Sequence, residues 1–300
     1  MLTKKDILNK SNDEEIETKV LIKSYGSRPT KQGSKYFDGM LEMQGSVPFK
    51  VWAGELYDAL DREDYTNVIC YVKAVVNKYN GNTSLVLKSV TPLSDTNYSD
   101  YFESRYNEEA YWNAFNKLLE AGCSKDCVGL VNRILEGVSD RFKVEFAARS
   151  HHDAFKGGLL AHSYRVLYIM SKVIMLYPNI SKKCNIDLLI MGSAIHDLGK
   201  VFEYTNGAIE GNGLLVSHRT SSVEYIVPYK EEIIGMKGEE FYYRLLAIFT
   251  QHHGEYEETP RCIEAYLIHL VDNLESLFES VDESLEKGDM VISVGGFKLV

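Results

Sequence analysis

Residues 186–200 read IDLLIMGSAIHDLGK, a run apolar almost all round that closes on His196-Asp197-Leu198-Gly199-Lys200. Its spacing predicts a helix over Ile186–Leu198 with no polar face, the pattern of a helix enclosed on every side. A carboxylate at the end of such a helix is costly to bury unless something cationic satisfies it. Adjacent helical residues project about 100° apart, so His196 can hold one metal ion from the side while Asp197 reaches between two.

Working outward, the pattern stays helical from beyond Pro92 to near residue 286. Tyr106–Ala121 carries Tyr111, Phe115, Leu118 and Leu119 on one stripe, and Val128–Val138 and Arg141–Arg149 read as shorter helices. Then a loop precedes five helices that hold nearly all the histidine. His162, in GGLLAHS, shares a face with Leu159, Val166, Ile169, Val173 and Leu176 before Pro178 ends its helix. His218 opens another helix behind Ser217, an N-cap residue type. His252 and His253 close a helix whose stripe is Phe241, Leu245, Ile248 and Phe249, and Asp272 lies inside AYLIHLVDNLESLF with His269 one turn before it. Any one inward histidine reads as a hydrogen-bonded core residue. Together, His162, His196, Asp197, His218, His252, His253 and Asp272 form a nitrogen and oxygen donor set that suits Mn, Fe, Co, Ni or Zn and is poor for Ca.

Before Pro92 the chain is β-like. TKVLIKSYGS, SKYFDGMLEM, SVPFKVWAG, NVICYVKAVVNKY and SLVLKSVTPL are separated by turn residues such as Asn80-Gly81-Asn82, with an irregular or helical segment at Glu55–Glu63. Five strands in this layout match an oligonucleotide-binding (OB) barrel, as they match other five-stranded barrels. Tyr36, Phe37, Phe49, Trp52, Tyr71 and Tyr79, interleaved with Lys23, Lys35, Lys50 and Lys73, can serve as stacking platforms or as barrel core. Tyr36, Phe49 and Trp52 are the candidates for contact with bases.

The fold expected is α+β multidomain, with an N-terminal five-stranded OB barrel over residues 1–95, connecting helices over 96–150, an all-α metal-binding bundle over 151–286 and a tail at 287–300. Residues 1–95 hold 13 Lys+Arg against 13 Asp+Glu and the remainder 20 against 30. That acidity argues against tight non-specific binding of long duplexes, although bound cations can reverse the sign locally. Five cysteines without a C-x-x-C pair, behind the opening MLTKKDILNK, read as reduced thiols in a cytoplasmic protein. Apolar runs such as Leu188–Met191 are far short of the roughly 20 residues of a membrane helix, so no membrane partner is expected.

The ordered series His … His-Asp … His … His-His … Asp resembles the binuclear branch of the HD superfamily of phosphohydrolases over about residues 150–285. HHDAFKGGLLAHS, IHDLGK, TQHHGE and LIHLVDNLES, behind a barrel, are similar to the YhaM-type 3'-5' exoribonucleases. The resemblance implies two divalent transition-metal ions, Mn foremost: one held by His162, His196, Asp197 and Asp272, the other by His218, His252 and His253, with Asp197 bridging. It also implies Lys200 facing phosphate and His151 and His152 at the substrate end of the cleft, with an ordinary surface loop the other reading of that pair; Arg219, beside His218, is either a second cation at the phosphate or an exposed helix arginine. His269 falls to orienting a ligand or to the core.

The activity this resemblance implies is that of a metal-dependent 3'-5' exonuclease on single-stranded RNA, with DNA as an option, releasing nucleoside monophosphates. Two other readings stay open: a phosphohydrolase of mononucleotides, cyclic nucleotides or short oligonucleotides, and a nucleic-acid-binding protein with an inactive HD domain. A homo-oligomer is compatible with all three.

Overall fold

Alternation along the N-terminal segments turns one face of each strand inward. In the computed structural model these strands are β1 (Glu15–Pro29), β2 (Lys35–Glu42), β3 (Ser46–Trp52), β4 (Val68–Tyr79) and β5 (Asn82–Pro92), with α1 (Lys4–Asn9) before them and α2 (Glu55–Arg62) between β3 and β4. The structure describes all residues except 31, 95–97, 103, 149–152, 206, 210, 255–257, 288–291, 295, 296 and 300. The strands close into a barrel in the order β1-β2-β3-β5-β4. Every pairing is antiparallel except β3 with β5, where Phe49 meets Leu85 and Lys50 meets Val86. That closure is the five-stranded OB arrangement, which strand count alone leaves open. The β4–β5 hairpin turns at Asn80 (φ 49°) and Gly81 (φ 79°), both left-handed as a tight primed turn requires.

Ile22, Leu41, Phe49, Val72, Val76 and Leu85 fill the barrel. Strand parity decides which aromatics face out. Tyr36 pairs with Trp52 across β2 and β3, whereas Phe37 and Phe49 point inward at 5% and 1% exposure.

The chain forms two compact units, Met1–Glu103 and Ser104–Val300. The second contains α3 (Glu108–Gly122), α4 (Lys125–Glu136), α5 (Ser139–Val144), α6 (Gly158–Leu176), α7 (Pro178–Lys183), α8 (Ile186–Ile195), α9 (Lys200–Glu203), α10 (His218–Ile226), α11 (Lys230–Lys237), α12 (Glu239–Gln251) and α13 (Ile263–Lys287). Asn107, Ser124 and Asn185 cap α3, α4 and α8 with side-chain oxygens on backbone N–H groups. Ser217 stands at the N-cap position of α10 but makes no cap bond; its hydroxyl lies 3.5 Å from that of Thr220 instead. Two short antiparallel pairs complete the unit, β6 (Tyr204–Thr205) with β7 (Ala208–Ile209) after α9, and β8 (Ile292–Val294) with β9 (Phe297–Leu299) in the tail.

All residues of α8 from Leu188 to Ile195 are buried, as a helix without a polar face demands. α6, α12 and α13 pack around it and give Leu167, Phe249 and Ile268 to the same core. α6 is also 19 residues long with a mean hydropathy of 1.2, long and apolar enough by length and composition to cross a bilayer. It holds no long unbroken apolar run, because Arg165 and Lys172 interrupt the apolar residues. Its Leu159, Leu160, Val166, Leu167 and Met170 are buried in the bundle core.

Candidate metal centre

The helix-end positions of the histidines converge. α6 brings His162 to 2% exposure; the turn closing α8 places His196 and Asp197 at 0% and 2%; α10 opens on His218 and α12 closes on His252. Asp272 comes from α13. Ligand atoms of Asp197, His218, His252 and His253 lie within 4.8 Å of one another, as do those of His162, His196 and Asp272.

Asp197 stands between the two groups. Its Oδ1 is 3.5 Å from His218 Nε2 and 3.4 Å from His252 Nε2; its Oδ2 is 3.5 Å from both His162 Nε2 and His196 Nε2, and 2.7 Å from Lys200 Nζ. Asp272 Oδ1 lies 3.1 Å from His162 Nε2 and 3.7 Å from His196 Nε2. Asp197 Oδ1, His218 Nε2 and His252 Nε2 are buried and have no hydrogen-bond partner among the described residues. Three orphaned polar atoms aimed at one point would be an unrelieved cost, and a cation between them relieves it. The residues therefore fit a divalent metal.

The far sides of four of the five rings agree. Nδ1 of His162 faces Glu275 Oε2 at 2.6 Å and that of His218 faces Glu203 Oε2 at 2.8 Å; Nδ1 of His196 faces the Ser193 carbonyl at 3.2 Å and that of His252 the Ile248 carbonyl at 3.1 Å. Carboxylates and carbonyls only accept, so each Nδ1 donates and each Nε2 is directed to the centre.

Charge follows from these contacts. Burial alone would raise the Asp197 carboxyl, but Lys200, His196 and His218 hold it well below the usual carboxylate range. Burial likewise opposes the charge of Asp272, which His162 and His196 hold well below that range. Burial lowers His252, with Asp197 offsetting only in part, so that ring stays a neutral donor. His162 is the exception: burial opposes its charge, yet Glu275 and Asp272 raise it well above its ordinary value. A divalent cation takes the place of such a proton when it binds.

Two glycines let the backbone close in. A methyl on Gly199, inside the HDLGK turn, would fall 1.8 Å from the His218 carbonyl oxygen. One on Gly254 (φ +61°) would fall 2.4 Å from the His269 ring. His269 Nδ1 donates to the His252 carbonyl at 2.9 Å, so it secures the His252-His253 turn.

Residues 159–277 match the HD domain family. The helical unit carries an HD domain. Along 94% of its length the chain is similar to the 3'-5' exoribonuclease YhaM of Bacillus pumilus (strain SAFR-032), at 26% identity and covering 91% of that protein. It is 27% identical to YhaM of Bacillus subtilis (strain 168) over 91% of this chain and 88% of that one. Among solved structures, the mitochondrial single-stranded DNA-binding protein Rim1 of S. cerevisiae aligns with 28% of this chain and 96% of its own at 17% identity and a TM-score of 0.26.

A cleft of about 320 Å³ opens onto the HD domain centre, lined by His162, Asp197, Lys200, His253, Asp272 and Asn273, with His269 and Ser276 beside them. Arg219 is partly buried and donates to the Thr250 carbonyl at 3.2 Å. His151 and His152 lie outside the described residues. In the barrel, Trp52 is 50% exposed, its ring centroid 5.1 Å from that of Tyr36, and Lys50 Nζ lies 5.7 and 5.8 Å from the Tyr36 and Trp52 rings. A groove of about 490 Å³ runs past Tyr25, Arg28, Asp38, Lys50 and Ser84. Phe49 borders that groove but is 1% exposed, so it is a core residue and not the stacking face expected of it. Its position on β3 has inward parity, opposite to that of Trp52.

Sequence reading missed Glu203, Glu275, Asp153 and Arg165. Glu275 had a signal: with Ile268, Val271 and Asp272 it keeps the three-to-four spacing of the buried face of α13. Arg165 follows His162 by three residues on α6. Glu203 and Asp153 had none, since a glutamate ending a single-turn helix and an aspartate in a loop look like ordinary surface residues.

Proposed function

We propose that the protein is a metal-dependent 3'-5' exoribonuclease that removes nucleoside monophosphates from single-stranded RNA, using two divalent ions, with Mn²⁺ foremost. The observation that carries this is Asp197, whose two oxygens each face a separate set of imidazoles inside an HD domain. The YhaM relatives, named as 3'-5' exoribonucleases and matched over both units, supply the substrate class.

His162, His196 and Asp272 would hold one ion and His218, His252 and His253 the other, with Asp197 shared. When bound, such ions supply hydroxide near neutral pH and stabilise charge on the phosphoryl oxygens. The chain's own residues do the rest. Lys200, held by Asp197 and lining the cleft, offers an ammonium to a phosphate lodged there. The cleft's volume suits about one nucleotide at a time. Tyr36 and Trp52, with Lys50 over both rings, give bases a stacking face and the backbone a cation. Covalent linkage of barrel and HD domain then raises the effective concentration of a bound strand's end at the centre. We place the protein in the cytoplasm on its cysteine pattern.

A second reading, hydrolysis of short or cyclic nucleotides, is favoured by the 20 Lys+Arg against 30 Asp+Glu after residue 95, which is unfavourable to a long polyanion. One panel separates the two: Mn²⁺-dependent turnover of a labelled single-stranded RNA, a dinucleotide and a cyclic nucleotide, with Asp197→Asn as blank. Faster turnover of the dinucleotide than of the RNA would overturn the exonuclease reading.

A further inference from the structure

We propose that Glu203 and Glu275 are positioning residues, one per ion, and that each sets the metal affinity of its own half of the centre. The inference rests on the two-ion reading above. Within each half, one imidazole is backed by a carboxylate and another by a backbone carbonyl. In the first half His162 has Glu275 and His196 has the Ser193 carbonyl; in the second His218 has Glu203 and His252 has the Ile248 carbonyl. A carbonyl fixes the tautomer, but a carboxylate also carries full charge and makes the imidazole a stronger donor at its other nitrogen.

The geometry around Glu275 divides its two oxygens between tasks. Oε1 accepts from Arg165 Nε, and Oε2 accepts from His162 Nδ1 at 2.6 Å. The far edge of Arg165 is anchored in turn, Nη2 donating to Asp153 Oδ1 at 2.5 Å and Oδ2 at 2.6 Å. Asp153 is fully buried and Glu275 is 2% exposed. Buried ion pairs of this kind are seldom the most stabilising way to fill space, as apolar residues of equal volume do as well or better. Their effect here is to leave the His162 ring a single orientation. Glu203 is simpler: it ends α9, four residues after Gly199, and its Oε2 reaches His218 Nδ1 at 2.8 Å. Because Gly199 lies against the His218 carbonyl, the turn that carries Asp197 and the carboxylate that aims His218 belong to one short segment.

Glu→Gln at either position preserves shape but not function, because an amide can turn its NH₂ toward Nδ1. The imidazole can then adopt the tautomer with hydrogen on Nε2, which cannot ligate. The test is titration of the metal-stripped, full-length chain with Mn²⁺, read by calorimetry and by the free-Mn²⁺ electron paramagnetic resonance signal, for wild type, Glu203→Gln, Glu275→Gln and the double variant. Wild type should take up two ions. Each single variant should lose about 10- to 100-fold in affinity for one ion and keep the other, and the double variant should lose both. Affinities equal to wild type in both single variants would overturn the proposal while leaving the metal centre intact. A fall in metal-free Tm with affinities unchanged would assign a structural role and overturn it equally. A wild-type chain that binds no Mn²⁺ would instead overturn the metal reading itself. Should Glu275→Gln strand Arg165 and fail to fold, Glu203→Gln carries the test alone, its carboxylate being bound only to His218 among the described residues.

Discussion

Asp197→Asn is the most direct challenge to the shared carboxylate. The substitution is isosteric, so packing at this 2% exposed position is unchanged, and what disappears is a charge facing four imidazoles and Lys200. At free Mn²⁺ 1,000 times its Kd, one ion bound only to the folded state stabilises it by about 4.1 kcal/mol. In a unit of about 200 residues each kcal/mol moves Tm by about 2–4 °C, so wild type should gain about 8–16 °C per ion on addition of Mn²⁺. Loss of an outer partner weakens metal sites by about 10–100-fold, and loss of a ligand should do at least the upper figure. At about 100-fold the stabilisation falls to about 1.4 kcal/mol, a shift below about 6 °C, and both ions should be affected because the two oxygens of Asp197 face separate sets of imidazoles. The assay is calorimetry of metal-stripped protein with and without Mn²⁺, beside turnover of a labelled single-stranded RNA. A variant with the full Mn²⁺-induced shift, or with wild-type turnover, would refute the bridge.

The same geometry sets other expectations. Trp52→Ala should weaken oligonucleotide binding by about 1–3 kcal/mol, whereas Phe49→Leu should lower barrel stability with affinity kept; fluorescence anisotropy and thermal melts read the two, and equal affinities for Trp52→Ala and wild type would refute the platform. Gly199→Ala, whose methyl meets the His218 carbonyl at 1.8 Å, should cost about 1–3 kcal/mol of stability or more and reduce Mn²⁺ uptake, and normal uptake would count against the close approach. Burial raises the Glu279 carboxyl from its ordinary 4.5 to about 7, Arg165 offsetting in part. The folded chain therefore holds a proton that the unfolded chain has released across that window, so stability falls as pH rises from 4.5 to 7 and is flat beyond. Glu279→Gln cannot ionise, and its stability should gain on that of wild type over that range by on the order of 3 kcal/mol at most; equal Tm differences between the two proteins at the two ends would refute it.

The side chains that the sequence singled out for metal were those whose surroundings made them anomalous. Asp197 after a run with no polar face and Asp272 within LIHLVDNL stand out because no bland account of a buried carboxylate exists there. The barrel was legible in its strand segments and in the Asn80-Gly81 turn, but its closure was not, since the parallel β3–β5 pairing joins residues 36 apart by a contact that neither strand's composition encodes. Phe49 was misjudged because exposure depends on the parity at which β3 enters the barrel, and Val47, Phe49 and Val51 share the inward face. Glu203 and Asp153 were invisible because their partners, His218 and Arg165, are set by tertiary approach. Ser217 shows the limit of residue type as evidence: it holds the N-cap position without making the bond.

The enclosure of α8 from Leu188 to Ile195 has a consequence for how the protein wears out. Its peptide hydrogens, from Leu188 to Ile195, can exchange with solvent deuterium only when the surrounding helices separate, so they should be among the slowest in the chain. Asp197, in the turn just after this helix, therefore shares the lifetime of the whole bundle. On warming, activity should hold until the bundle melts as a unit, without the gradual fading expected where reactive groups sit on a loosely tethered loop.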